Sequence, residues 1–489
     1  MSNKIKLIFL SVLFFSGCGQ FASNSIENST EIEALINNGD FDKATKAIKN
    51  KIANDSLSVS EIYNLNFQIA KMERIKKDFN KTDTTILSYI KKQYPQVTSK
   101  EIEVWEKSKA LECMNIDGNK RYFWNAHRNL FRISKEAKAH SEELNGRQSD
   151  ELDTYLASYI PDVVKEAKSN PSRQIKDTSS FCRFAKPATI KIKYTITVRP
   201  EEVPAGEMIR VWMPYPREKN RYTNIELLST SQPDYIISPD SYSHKSIYMQ
   251  KLSDSKEPTV FSYELRFTTY NKWYNFSPED VKPYDTTSDL YKQYTAERSS
   301  HVIFSDEIKR ITDSIVGDET NPYLKAKKIF CYIADNYPWA SAREYSTIDN
   351  IPQYVIENHH GDCGQVSLLF ITMSRYAGIP AKWQSGWMLH PGEVNLHDWA
   401  EAYFEGIGWV PVDQSFGYVE STDPDVRFFY TKGLDAYRYI VNDDFSGEFY
   451  PAKIYPRSET VDFQRGEVEW RGENLYFGRW KYNMDVSYE

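Results

Sequence analysis

The hydrophobic pattern of this chain changes its period near residue 186, and that change limits the folds that it can adopt. From about residue 30 to 170, apolar residues recur three and four positions apart, for example over 31–48, which is the spacing of amphipathic helices. From about 186, segments such as 190–198 and 209–213 alternate apolar and polar residues, which is typical of half-buried strands. A helical region followed by strands predicts a multidomain α+β protein.

The length of 489 residues is enough for three or four domains. The changes of pattern predict an N-terminal helical domain over 31–180, a β-sandwich over 186–275, an α+β core over 276–420, and an extension over 421–489 that packs on the core. Within the helical domain, Ser58 with Glu61 predicts a capping box at a helix start. The pair Asp117-Gly118 predicts a tight hairpin turn.

The first residues predict export. Lys4 and Lys6 precede an apolar run over 7–15, which is too short to span a bilayer, and Ser16-Gly17-Cys18 follows. A charged start, a short apolar stretch and small residues are typical of a secretory signal. The segment around Cys18 resembles the lipobox of bacterial lipoproteins, in which the cysteine is lipidated and becomes the new N-terminus.

This resemblance predicts a signal peptide over 1–17, a lipid-tethered linker over 18–30, and a protein anchored to a bacterial membrane that faces the periplasm or the cell surface. The alternatives are a plain signal peptide and a chance match to the lipobox. The formal net charge of −7 and the absence of long Lys/Arg runs argue against a nucleic-acid partner. The oligomeric state cannot be derived from the sequence.

Cys363 lies where a buried helix is predicted to begin. Asp362 precedes it in an N-cap position and Gln365 stands three residues further on, in a capping-box arrangement. The free N–H groups of a helix start favour an anion, so this position lowers the pKa of a thiol. Because Asp362 acts in the opposite sense, a basic partner is still needed.

His397 is predicted to lie on a strand over 397–404, and Asp413 ends the return strand of a hairpin that turns at 406–408. This hairpin brings Asp413 near His397. Asp398 is the rival acid, but neighbours on a strand point to opposite faces, so Asp398 should face away from the His397 ring. Pro411 cannot donate a ladder hydrogen bond, which favours an edge strand or a bulge.

A nucleophile, a base and an orienting acid are what activated thiol catalysis requires. We therefore expect His397 to hold Cys363 as a thiolate–imidazolium pair while Asp413 fixes the imidazole tautomer. The backbone N–H of Cys363 is the natural oxyanion donor, and the indole of Trp339 is a candidate for the second. A packed core tryptophan is the alternative for Trp339.

Four linked segments resemble the core of the transglutaminase-like superfamily: Gly-Asp-Cys-Gly at 361–364, Gly-Ile-Pro-Ala at 378–381, His-Asp-Trp-Ala-Glu-Ala-Tyr at 397–403, and Gly-Trp-Val-Pro-Val-Asp at 408–413. His397 follows Cys363 by 34 residues, and Asp413 follows His397 by 16. The resemblance covers roughly residues 280–420. Arg-Val-Trp-Met-Pro-Tyr-Pro at 210–216 also resembles the β-domain that precedes this core in bacterial members.

The resemblance implies a thiol-protease-like α+β core and a cysteine enzyme that acts on amide bonds of a peptide or protein, more as a protease or amidase than as a cross-linker. Animal members use calcium, but no EF-hand-like loop occurs here, so no cofactor is implied. One alternative is a catalytically silent scaffold, since some members lose the triad.

Another alternative is a metal site made of His359, His360, Cys363 and His397, although we expect none. Cys363 is expected to be a free thiol, and a bridge among the remaining cysteines stays open; these are Cys113, Cys182 and Cys331. The polar and aromatic segment over 457–470 is predicted to close one side of the cleft.

Overall fold

The computed structural model describes residues 31–146, 150–169, 179–217 and 222–489, and the chain divides into two compact units. The predicted signal peptide over 1–17, the linker over 18–30 and the lipidation site at Cys18 lie outside the described residues. Helices come first and several antiparallel sheets follow, so the predicted α+β class is confirmed.

The first unit contains described residues 31–83 and 113–122. Residues 31–37 are helical, and the named elements are α1 (Phe41–Asn54), α2 (Val59–Asp78), β1 (Cys113–Ile116) and β2 (Asn119–Tyr122). The capping box of Ser58 and Glu61 is confirmed. The hairpin at Asp117-Gly118 is also confirmed, because β1 and β2 pair around that turn.

The second unit contains residues 84–112 and the described residues from 123 onward. Its helices are α3 (Asp83–Gln93, which starts at the last residue of the first unit), α4 (Ser99–Lys107), α5 (Ala126–Ile133), α6 (Lys135–Asn145), α7 (Glu151–Ser169), α8 (Asp289–Thr295), α9 (Asp306–Val316), α10 (Pro322–Asn336), α11 (Ile351–Asn358), α12 (Cys363–Tyr376) and α13 (Pro424–Arg427).

Two five-stranded sheets form the sandwich. The first has the order β12-β8-β3-β16 with β5 paired to β8, and the second has the order β15-β14-β4-β7-β6. Their strands are β3 (Cys182–Val198), β4 (Met208–Pro214), β5 (Tyr222–Thr230), β6 (Tyr235–Ile237), β7 (Ser246–Leu252), β8 (Thr259–Tyr274), β12 (Gly433–Leu434), β14 (Glu467–Trp470), β15 (Glu473–Asn474) and β16 (Trp480–Tyr488).

The sandwich therefore takes strands from both ends of the second unit. The sequence pattern assigned residues 421–489 to an extension packed on the core, but β14 pairs with β4, and β16 pairs with β3 over the whole length of β16. Pairing between strands that lie so far apart in the sequence leaves no local signal. The alternation of apolar and polar residues shows which face of a strand is buried, but it does not show which strand lies next to it.

A four-stranded antiparallel sheet carries the predicted site, in the order β11-β10-β9-β13. Its strands are β9 (Ala381–His390), β10 (Glu393–Phe404), β11 (Gly408–Val412) and β13 (Arg438–Asn442). Helix α12 packs on β9 and β10, and its apolar residues share one core with α9, α10 and α11. Pro411 lies in β11, which is an edge strand as predicted.

None of the helices in the described ranges is both long and apolar enough to cross a membrane.

Candidate active site

Cys363 is the first residue of helix α12, as the sequence predicts. The Asp362 carboxylate accepts the Gln365 backbone N–H at 3.0 Å, and the Gln365 side chain accepts the Asp362 backbone N–H at 3.2 Å. The predicted capping box is thus confirmed, and it fixes where the helix begins. The backbone N–H of Cys363 belongs to the first helical turn, whose donors have no intrahelical acceptor.

His397 and Asp413 are brought together by the hairpin of β10 and β11. Ala400 pairs with Val412, so Asp413, one residue beyond the strand, falls opposite Trp399 and on the face that His397 shares. Nε2 of His397 lies 2.7 Å from Oδ2 of Asp413, and both side chains are buried. Nδ1 of His397 has no hydrogen-bond partner in the part of the chain that the structure describes.

Arg438 on β13 completes the surroundings of Asp413. Its guanidinium donates to Oδ2 of Asp413 at 3.1 Å and lies 3.0 Å from the Asp435 carboxylate, and it is fully buried. Burial alone would raise the pKa of Asp413, but the charge and hydrogen bond of His397 and the charge of Arg438 hold that pKa below its usual value. Asp413 is therefore ionised in the resting site.

The Cys363 sulfur contacts Asp398 rather than His397. The thiol donates to Oδ2 of Asp398 at 3.3 Å, whereas the structure, which describes both side chains, shows no hydrogen bond between the sulfur and the His397 ring. Strand alternation explains this, because Asp398 shares the β10 face of Ala400 and Ala402, which belong to the same core as α12. Asp398 thus faces away from His397, as predicted, and toward the cysteine helix.

The resting thiol is neutral, contrary to the expectation of a preformed thiolate–imidazolium pair. Burial, followed by the charges of Asp398 and Asp362, raises the pKa of Cys363 well above its usual value. Burial likewise lowers the pKa of His397, although the charge of Asp413 opposes that shift. The partial positive charge of a helix start is smaller than these effects.

A cavity of about 310 Å³ opens beside the sulfur. Its lining comes from the turn before α11, from the first residues of α12, from β10 and from the C-terminal segment: Trp124, Trp339, Ser341, Ala342, Arg343, Glu344, Tyr345, Asp362, Cys363, Asn395, Leu396, Asp398, Glu459, Asp462, Phe463, Gln464, Arg465, Gly466, Glu467 and Phe477. The segment predicted to close one side of the cleft therefore lines this cavity.

Trp339 lines this cavity, and it also lines a second cavity of about 200 Å³ that includes Phe416. The indole is 43% exposed, and the guanidinium of Arg132 stacks over it at 4.4 Å. Its N–H makes no hydrogen bond to any described residue. The packed-core alternative for Trp339 is wrong, because its ring is open to both cavities.

Several side chains that surround the sulfur could not be identified from the sequence. The Tyr345 hydroxyl donates to Asp362 at 2.6 Å, and Gln464 donates to Asp398 at 2.7 Å. The charge of the buried Asp462 raises the pKa of Asp398. The pattern of charges and aromatics over 457–470 was the available indication for the last two, but it does not identify individual residues.

The metal alternative has no support in the geometry. His359 caps α11 in a left-handed conformation, whereas the buried His360 ring packs near Tyr354. Among the described residues, the group whose ligand atoms lie close enough to share an ion is Glu101, Glu136 and His140, remote from Cys363 in the sequence. Cys363 is a free thiol, as predicted, and the other three cysteines of the described chain form no disulfide: Cys113, Cys182 and Cys331.

Residues 309–414 match the family model of the transglutaminase-like superfamily. This segment is a transglutaminase-like domain. It includes Cys363, His397 and Asp413, whereas Asp462 and Arg438 lie beyond it.

The chain is also similar to two uncharacterized bacterial proteins. One is YebA of Bacillus subtilis, with 26% identity over 176 residues, covering 29% of this chain and 24% of YebA. The other is from Haemophilus influenzae, with 23% identity over 250 residues, covering 44% of this chain and 66% of that protein. The chain thus spans about a quarter of the first relative and just under two thirds of the second.

Two solved structures are similar to this chain. A protein from Cytophaga hutchinsonii, described as a candidate cysteine protease, has 15% identity and a TM-score of 0.41, covering 63% of this chain and 92% of that chain. The periplasmic domain of TgpA from Pseudomonas aeruginosa has 12% identity and a TM-score of 0.24, covering 47% of this chain and 88% of that chain.

Proposed function

We propose that this protein cleaves or transfers amide bonds of a peptide or protein through a cysteine acyl-enzyme. Cys363 is the nucleophile, His397 the base, and Asp413 the acid that orients the imidazole. The observation that carries this proposal is the buried His397–Asp413 pair at 2.7 Å. Because this pair uses Nε2, it leaves Nδ1 as the ring atom that can exchange a proton with the thiol.

The reaction begins when the Cys363 sulfur attacks the substrate carbonyl carbon and its proton passes to Nδ1 of His397. The tetrahedral intermediate then collapses: the C–N bond breaks, and the imidazolium returns the proton to the departing amine. Water or a second amine attacks the thioester carbon, loses a proton to His397, and releases Cys363 as a thiol. Asp413 stabilises the imidazolium in each half-reaction.

The oxyanion of the tetrahedral intermediate needs donors that face the cavity. The backbone N–H of Cys363 supplies one from the first turn of α12. The indole N–H of Trp339 supplies the other, and its exposure at the cavity together with its lack of an acceptor among the described residues supports this role.

One observation favours a second candidate, a catalytically silent binding protein. The sulfur is hydrogen-bonded to Asp398 and its pKa is raised, so the free protein holds no preformed nucleophile. In a silent protein, His397 would have no influence on the reactivity of Cys363. In an enzyme, the sulfur must reach the imidazole when substrate is bound.

A peptide-library digest read by mass spectrometry tests the enzymatic proposal. The wild type should cleave a subset of peptides, and Cys363→Ala should lower that cleavage by at least about 10³-fold, since no other group forms the acyl-enzyme. Added primary amine should appear in the products if the acyl-enzyme favours transfer over hydrolysis.

The matched control is Cys331→Ala, which removes another partly buried free thiol, on helix α10, and should leave the cleavage unchanged. Cleavage by Cys363→Ala at the wild-type rate would reject the proposal. Absence of cleavage together with equal, slow alkylation of Cys363 in the wild type and in His397→Ala would favour the silent scaffold.

We further infer that the protein is exported and lipid-anchored, acting outside the cytoplasm. The basic residues Lys4 and Lys6, the apolar run over 7–15 and Cys18 support this. Cys18→Ser should move the protein from the membrane fraction to the soluble fraction of the cells that make it. An unchanged membrane fraction would reject the anchor.

A further inference from the structure

Two buried carboxyl groups lie beside the nucleophile and interact with each other electrostatically. One is Asp398, which follows the predicted base on β10, and the other is Asp462 from the C-terminal segment. Both side chains are nearly inaccessible to solvent, and both residues line the cavity next to Cys363. Two adjacent buried carboxyl groups cannot both ionise readily, so this pair retains one proton.

The surroundings of Asp462 place that proton on Asp398. Oδ1 of Asp462 accepts hydrogen bonds from the Ser385 hydroxyl at 2.8 Å, from the Asn442 amide at 2.9 Å and from the Phe463 backbone N–H at 2.6 Å. Three donors stabilise a carboxylate. Asp462 has a pKa of about 6, raised by burial and opposed by these hydrogen bonds.

Asp398 has fewer donors. Gln464 donates to its Oδ1 at 2.7 Å, and Tyr345 lies 3.4 Å from its Oδ2 and donates chiefly to Asp362. Burial, followed by the charges of Asp462 and Asp362, raises the pKa of Asp398 well above its usual value. The proton that the pair retains therefore lies on Asp398, and Asp462 is the carboxylate.

The Cys363 sulfur is held against Asp398 on two sides. The thiol contacts the Asp398 carboxyl group at 3.3 Å, and the Asp398 backbone N–H is also directed at the sulfur. The N–H favours the thiolate, whereas an ionised Asp398 carboxylate would disfavour it. The other charged groups that act on the sulfur are Asp362, which disfavours the thiolate, and Arg438, which favours it.

We propose that Asp398 is a further catalytic residue whose carboxyl group controls the ionisation of the Cys363 sulfur, and that Asp462 is the positioning residue that keeps Asp398 protonated. This inference deepens the proposed function, on which its catalytic meaning rests. A neutral Asp398 permits the thiol proton to pass to Nδ1 of His397 and keeps its own proton, whereas an ionised Asp398 opposes the thiolate by like charge.

The C-terminal segment then takes part in controlling the ionisation of the Cys363 sulfur. Asp462 and Gln464, the two side chains that hold the Asp398 carboxyl group, lie beyond the matched domain, which ends at 414. Sequence variation in this segment would then change the pH at which the nucleophile reacts without touching the three proposed catalytic residues.

Alkylation of Cys363 by iodoacetamide tests the role of Asp398 without any substrate. The rate is measured from pH 5 to 10 by mass spectrometry of the Cys363 peptide in the full-length protein. In the wild type the rate should rise to alkaline pH with a midpoint above that of a free thiol. In Asp398→Asn, which cannot ionise, the midpoint should fall by about one pH unit, because at alkaline pH the ionised Asp398 of the wild type opposes the thiolate by like charge.

Gln464→Ala is the matched control, because it loosens the same carboxyl group and leaves the charge in place. Its midpoint should not fall. An Asp398→Asn midpoint equal to that of the wild type would overturn the inference, and so would an equal fall in Gln464→Ala, because loosened packing would then explain both.

Asp462→Asn tests whether Asp462 acts through Asp398. The substitution should move the alkylation midpoint in the wild-type background and should leave it unchanged in the Asp398→Asn background. Equal shifts in both backgrounds, or none in either, would remove Asp462 from the proposal. Since alkylation needs no substrate, these outcomes are separate from the peptide digest: the inference can fail while cleavage persists, and cleavage can fail while the midpoints shift as expected.

Discussion

Arg438 is a fully buried cation whose acidic partners are the proposed orienting acid, Asp413, and a second carboxylate, Asp435. It lies 3.1 Å from Asp413 and 3.0 Å from Asp435, and Nε2 of His390 lies 3.1 Å from the other oxygen of Asp435. Two carboxylates and one guanidinium leave one negative charge in the protein interior. A proton arriving on His397 neutralises that charge, which favours the imidazolium that catalysis requires.

Arg438→Met tests this arrangement at the scale of one residue. Removing the guanidinium leaves Asp413 and Asp435 buried together without their cation, and breaking a buried ion pair in this way costs about 3–5 kcal/mol of unfolding free energy. Urea unfolding followed by tryptophan fluorescence would measure the loss.

The control for this prediction is Arg266→Met, which removes an arginine paired with Glu226 at the surface, where both side chains are about half exposed. Such a pair contributes less than about 1 kcal/mol. If the two variants lost equal stability, the buried network would not be what holds Asp413.

At the scale of single elements, helix α12 could be predicted almost completely from its sequence. Asp362 and Gln365 mark its start, and Gly378, at φ 78°, follows its end. A capping box is formed by residues three apart, whose side chains bond to each other's backbone N–H groups. Because these residues are close in the sequence, the helix start can be predicted from it. The hairpin that joins His397 to Asp413 can be predicted for the same reason, because it is defined by a strand-like sequence pattern with a period of two residues and by a glycine turn.

The packing of that helix against its neighbours could not be predicted. A Cβ at Gly364 would lie 2.2 Å from the Tyr345 hydroxyl and 2.7 Å from the Asp398 carboxyl group, so this glycine lets both approach the sulfur. Nothing in the motif indicates which side chains would come that close. The predicted lowering of the Cys363 pKa is wrong for the same reason. The direction of the pKa shift depends on the burial of the thiol and on its contact with Asp398, and both are set by tertiary packing.

At the scale of the second unit, a row of stacked rings joins the last strand to the sheet of the site. The ring of Tyr482 on β16 lies 6.1 Å from that of Tyr194 on β3, Tyr194 lies 4.9 Å from Trp387 on β9, and Trp387 lies 4.4 Å from Tyr439 on β13. Gly386, next to Trp387, is the cross-strand partner of His397. The C-terminal strand therefore supports the strand that positions the proposed base.

Truncation after Arg479 tests this support. It removes β16 and with it the buried Trp480 and three half-buried apolar side chains, which together stabilise the fold by roughly 5 kcal/mol. We expect a lower thermal midpoint. At temperatures where circular dichroism still shows the native fold, we also expect a loss of peptide cleavage, because Tyr194, which stacks on Trp387, loses its own contact with Tyr482.

The full-length control changes the outward-facing Lys481, Asn483 and Asp485 to Ser and should keep both the thermal midpoint and the cleavage, since these side chains are exposed. A truncated protein that is folded and cleaves as fast as the wild type would show that the site does not depend on the sandwich.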